Sequence, residues 1–89
     1  MKAIITVLGT DRPGIIAEVS AKLYEHNINI LDISQTILHG SFTMVMTVDV
    51  GESKAPLGQL RELLEELGNS MEISIRIQRE EIFDAMHRI

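Results

Sequence analysis

The chain has no cysteine and no tryptophan, and aromatic residues fill only 3% of its 89 positions. Without cysteine there are no disulfides, no thiolate metal sites and no cysteine nucleophile, and metal transfer through a cysteine pair is excluded. An RNA-recognition sheet stacks bases on aromatics of its central strands. Here Phe42 is the one aromatic in a predicted strand. Positive charge is also scarce: 8 Lys and Arg against 13 Asp and Glu leave a net charge of -5 with no basic cluster, which argues against a nucleic-acid partner. No apolar run approaches the roughly 20 residues that cross a bilayer, and the N-terminus carries no signal-peptide pattern. A soluble cytoplasmic protein with no membrane contact is the expectation.

What remains is aliphatic. Hydrophobic residues make up 45% of the chain, so its core must be built from Ile, Leu, Val and Met. A single domain of this size buries little surface and gains stability from self-association, so a homo-oligomer, a dimer first, is expected. Lys2 to Leu8 reads as a covered strand, and Ile16, Val19 and Leu23 recur at helical spacing between Pro13 and His26, with Asn27 ending the helix. Ile28 to Leu38 reads as a second strand, and His39-Gly40 as a two-residue hairpin turn. Phe42, Met44, Met46, Val48 and Val50 then alternate with polar residues, as in a half-buried antiparallel strand. Ser53 and Pro56 mark the start of a helix striped by Leu57, Leu60, Leu64 and Leu67, with Gly68 as its expected cap. Met71, Ile73, Ile75 and Ile77 alternate in a fourth strand.

The order β-α-β-β-α-β predicts an α+β, ferredoxin-like sandwich: a four-stranded antiparallel sheet with two helices on one face. That domain is expected over residues 1–78, with a short amphipathic helical extension over 79–89 carrying Ile82, Phe83, Met86 and Ile89. Two strands keep apolar residues on the face without helices, so something must cover it. The extension could be a lid on its own domain or an arm for a partner.

The fold hosts unrelated functions, so the site must decide. His26, His39 and His87 lie in separate segments without metal-ligand spacing, and no nucleophile–base pair can be assembled, so neither a metal, a cofactor nor a catalytic residue is expected. Acylphosphatase-like hydrolysis needs a phosphate cradle that the residues around Arg12 do not supply. The loop Gly9 to Ile16 is more informative. Asp11 is placed to cap the following helix, Pro13 to enter its first turn, and Gly14 to allow close approach, while the helix start offers donors to a carboxylate.

Asp11-Arg12-Pro13-Gly14-Ile15-Ile16 after an apolar strand, with Asn27-Ile28-Asn29-Ile30 opening the next, resembles the ACT domain family over Lys2 to about Gln78. Within it the chain looks most like stand-alone bacterial members and a module of the glycine cleavage repressor. The resemblance implies a non-catalytic regulatory module that binds a small effector, an amino acid, at a dimer interface. It also implies a ligand site of Asp11, Arg12, Pro13, Gly14 and Ile15, with Asn27 and Asn29 opposite. Asn29 matches an asparagine of the serine-binding members, whereas Asp11 and Gly9 depart from their loop asparagine and histidine, so serine specificity does not carry over. The alternative is a ligand-free module that docks on a protein partner, a metabolic enzyme or regulator.

Overall fold

Residues 1–86 are described by the structure, a computed structural model, with side chains through Ala85. The chain forms β1 (Lys2–Thr10), α1 (Ile15–Glu25), β2 (Asn29–Leu38), β3 (Ser41–Asp49), α2 (Leu57–Met71), β4 (Ser74–Arg79) and α3 (Glu80–Met86). The sheet order is β2-β3-β1-β4, and every neighbouring pair is antiparallel. Each crossover helix therefore steps over one strand, giving the ferredoxin-like α+β sandwich that the sequence pattern implies. The β2–β3 turn is the expected two-residue one, with His39 at φ 52 and Gly40 at φ 79.

Register explains where the core sits. Ile5 lies opposite Met46 on one side and Ile77 on the other, so alternate residues of the three strands share a face. On that face Ala3, Val7, Met44 and Val48 are fully enclosed with Ile15, Val19 and Leu23 of α1 and Leu60 and Leu64 of α2. Both helices thus cover one side. The other side is mostly hydroxyl-bearing: Thr6, Thr43 and Thr47 are half-buried there. Its apolar members on these strands are Leu8, which is exposed, Val45, which is half-buried, and Ile4, which is 6% exposed yet stands outside the main core. Helix α3 lies against β1 and β4, with Phe83 half-buried and Ile82 exposed. As far as it is described, the extension is a lid on its own sheet; the side chain of Met86, and His87 and Ile89, fall outside the described residues.

Strand β2 differs from expectation in one respect. A bulge at Leu31 shifts the register between Ile30 and Asp32, which puts Ile30, Ile33 and Ile37 all on the helix side and Asp32, Ser34 and Thr36 on the open side. The open face of β2 is therefore polar up to Leu38. Yet Ile33 and Ile37 stay 48% and 55% exposed, because α1 does not reach over this edge strand.

The helix ends correct three expectations. Gly68 does not end α2 but lies inside it, and glycine is needed there because a Cβ would fall 2.7 Å from the Ile73 carbonyl oxygen. The helix runs on through Met71, which is consequently helical rather than the first residue of β4. Glu72 then takes the left-handed conformation at φ 58, with Ile73 N–H donating to Gly68 O at 2.9 Å and Glu72 N–H to Asn69 O at 3.3 Å, a Schellman closure. At the other end Ser53 caps nothing in α2: its hydroxyl bonds Ala55, forming a local turn ahead of Pro56, which is the N-cap residue.

A left-handed glutamate is strained by its Cβ, roughly 1–2 kcal/mol. Part of that returns to the unfolded state when glycine replaces it. Glu72→Gly should therefore stabilise the protein by about 1 kcal/mol, raising Tm by about 4–8 °C. Thermal unfolding followed by circular dichroism checks this, and a lowered midpoint would show that the Glu72 side chain contributes more than its backbone strain costs.

Candidate functional site

Between β1 and α1 the backbone is held from one side: Asp11 N–H donates to Gly40 O at 2.8 Å, tying the loop to the β2–β3 turn. The chain then turns through Pro13 and reaches Gly14 at φ 92, ψ -5. A Cβ at Gly14 would meet nothing within 4 Å, so glycine is needed here for its positive φ rather than for close approach. Because this turn intervenes, the N-cap position falls to Gly14, and neither Asp11 nor any other described side chain caps α1. Pro13 correspondingly precedes the helix instead of entering its first turn. The first intrahelical bond runs from Glu18 N–H to Gly14 O at 2.9 Å. The N–H groups of Ile15, Ile16 and Ala17 thus have no acceptor within the helix, at its electropositive end.

These donors border a recess of about 200 Å³. Asp11, Arg12 and residues Gly14 to Ala17 form one wall, and Gln35, Ile37 and Phe42 the other. Five of these residues, Ile16, Ala17, Gln35, Ile37 and Phe42, were not expected from the sequence. Gln35 had a legible signal, since it is the polar member of the row Ile33, Gln35, Ile37. Arg12 also touches this wall, but its Nη1 donates to Met71 O at 3.2 Å, at the C-terminal end of α2.

The two asparagines lie elsewhere. Asn27 and Asn29 follow the far end of α1, an 11-residue helix that is about 16 Å long at 1.5 Å per residue. Asn27 is the left-handed residue of that helix's Schellman closure at φ 59, with Ile28 N–H donating to Leu23 O at 3.0 Å. Its side chain donates to Glu52 O at 3.2 Å. Together with Asn29, Tyr24, Asp49 and Glu52 it lines a separate recess of about 460 Å³. Within one chain, then, Asp11, Arg12, Gly14 and Ile15 come together beside Pro13, and Asn27 and Asn29 do not join them. Among the described residues no three His, Cys, Asp or Glu side chains group as metal ligands, and no helix is long and apolar enough to cross a membrane.

Comparison with known proteins bears on this arrangement. A family model described as ACT domain matches residues 2–78. A UPF0237 protein of Bifidobacterium longum is 53% identical over 88 residues, covering 99% of this chain and 98% of the relative. An ACT domain protein from Streptococcus pneumoniae superposes with a TM-score of 0.82 at 46% identity, over 98% of each chain. A structure described as a glycine cleavage system transcriptional repressor matches 88% of this chain and 44% of its own at 29% identity, with a TM-score of 0.74.

The second recess has its own pH dependence. The Asp49 carboxylate accepts from Gly51 N–H at 2.9 Å and lies 3.5 Å from the N-terminal ammonium. The backbone bond first, and the ammonium charge second, hold its carboxyl below the ordinary value of 3.8. A carboxyl lowered on folding stabilises the protein at pH above its unfolded value, and that contribution is lost as pH falls through the lowered one. Melting curves taken between about pH 2 and 5 should therefore fall more steeply for the wild type than for Asp49→Asn. Parallel curves would mean that Asp49 makes no such contribution.

Proposed function

We propose that this chain, which belongs to the ACT domain family, is a non-catalytic cytoplasmic regulatory module that binds an amino acid and self-associates through β2. The observation that carries the reading is the uncapped start of α1, where Gly14 turns the chain, Ile15 to Ala17 keep N–H groups without an acceptor in the helix, and the same residues line a recess together with Asp11. A zwitterion fits this polarity. Its carboxylate would take the N–H groups of Ile15 to Ala17, its ammonium would pair with Asp11, and Gln35 can serve either end. Similarity to a glycine cleavage system transcriptional repressor supports a regulatory rather than a chemical role.

Self-association is supported by the contrast between the two sheet edges. Strand β2 is ten residues long, contains no Lys, Arg or Pro, and leaves Leu31, Ile33, Ile37 and Leu38 between 42% and 62% exposed. Strand β4 has six residues and carries Arg76 and Arg79. Short and charged edges are protected against pairing, whereas long apolar ones invite it. Two copies joined antiparallel along β2 would set the start of one strand beside the end of the other. Asn29 of the partner subunit would then lie near Leu38, next to the turn that holds Asp11, and complete the recess. Asn27 would act by fixing the chain direction just ahead of Asn29.

Exposed Ile33 and Ile37 also suit a ligand-free docking module, so the tests separate the two. Sedimentation at micromolar concentration should give a dimer, and Ile33→Lys should give a monomer that remains folded. A wild-type monomer would remove the shared site. An amino acid panel should contain one that raises Tm on the order of ten degrees at 100 times its Kd, which corresponds to about 2.7 kcal/mol. Asn29→Ala and Gln35→Ala should each reduce that rise while leaving the unliganded midpoint nearly unchanged. If no amino acid shifts the wild type while the dimer persists, the ligand-free reading replaces this one.

A further inference from the structure

The ligand loop and the α2–β4 turn touch at two points. Arg12 Nη1 donates to the Met71 carbonyl across a sequence separation of 59 residues. Met71 closes α2, so its carbonyl belongs to the unpaired set at the negative end of the helix, and the last turn of α2 holds no basic residue of its own. Arg12 supplies that charge from outside the helix. Two residues before Asp11, the Gly9 backbone lies directly against Ile73: a Cβ at Gly9 would fall 2.5 Å from Ile73 Cγ2 and 2.9 Å from its Cβ. The loop and the turn are thus neighbours through packing as well as through the Arg12 bond.

Arg12 still has donors to offer. A guanidinium carries five N–H groups, the Met71 bond uses Nη1, and among the described residues Arg12 joins no ion pair. It also lines the recess at the start of α1. On its far side, the turn that Arg12 holds borders another recess of about 470 Å³, where Glu72, Ile73 and Ser74 face Asn69 and Arg76 along the β4 edge.

We propose that Arg12 couples the two places: a carboxylate bound at the start of α1 draws the guanidinium from the Met71 carbonyl and so resets the α2–β4 turn and the recess beside β4. The inference rests on the loop being the ligand site, as proposed above. The competition has a clear direction, because a carboxylate is a stronger acceptor for a guanidinium than a neutral carbonyl. When the guanidinium leaves, the end of α2 loses the cation bonded to its last carbonyl, and Glu72, already in the left-handed conformation, is the next residue in line. The β4 edge, at the opposite side of the sheet from β2, thereby becomes the surface on which occupancy of the loop is displayed.

Amide chemical shifts of the full isotope-labelled chain test this, titrated with sodium acetate and with glycine against sodium chloride at equal ionic strength. In the wild type, the amides of Gly14 to Ala17 and those of Glu72 to Ser74 should move with one shared midpoint. The Ile73 amide, bonded to Gly68 O, should also exchange faster with solvent when probe is present. In Arg12→Ala the loop amides should respond only at higher probe concentration, because the guanidinium no longer assists binding, and the response at Glu72 to Ser74 should be absent even when the loop is saturated. Arg12→Gln serves the same purpose if the alanine variant loses its dispersed spectrum. Loop shifts without a response at Glu72 to Ser74, or a response there that survives removal of the guanidinium, overturn the coupling and leave binding intact. No shift at Gly14 to Ala17 with either probe overturns the binding reading, and the coupling with it.

Discussion

The placement of β1 governs the rest of the molecule. It is one of the two central strands, paired with β3 on one side and β4 on the other, and it alone joins the β2–β3 hairpin to β4. Its Ala3, Ile5 and Val7 are wholly enclosed, and the side chains of both crossover helices converge on them. A strand fixed so completely delivers its last residues to a defined point in space. That point is where Gly9 meets Ile73 and where the loop leaves for α1. The loop with the uncapped helix start and the left-handed Gly14 therefore leaves from a strand that is buried and paired on both sides.

Strand β2 is the counterpart. It has a neighbour on one side only, a bulge that gathers its isoleucines on the helix side, and no helix above them. A small acidic chain with few aromatics has limited means of covering a fourth strand, and leaving it for another surface is economical in residues. The recess at the start of α1 and the exposed edge share Ile37, so the two surfaces adjoin in this fold.

Much of this was legible in the residues. The alternation from Phe42 to Val50 and the pair His39-Gly40 specify a strand and a turn by local chemistry, and the structure follows them. What could not be read depended on distant contacts. Gly68 has the residue type of a helix terminator, but its lack of a Cβ makes room for the Ile73 carbonyl inside α2, and a glutamate takes the terminal conformation instead. Asp11 has the residue type of a cap, but the Pro13-Gly14 turn moves the cap position three residues on. Asn27 and Asn29 follow the same helix whose start carries Asp11, and a helix separates its ends however close the motifs look in sequence. Ile30 joins Ile33 and Ile37 on the helix side only because one bulged residue alters the register of β2 ahead of Asp32.

The glycines carry a further consequence, for how the history of such a chain should be understood. Gly14 is confined by its backbone angle, Gly9 by the side chain of Ile73, and Gly68 by a carbonyl oxygen that no substitution can shrink. All three are positions at which drift is blocked, but of the three Gly14 alone borders the recess at the start of α1. The other two are frozen by crowding at a single residue, Ile73, which sits between them. Invariance at Gly9 and Gly68 would therefore record the thickness of one joint, whatever molecule the descendants of this chain came to bind.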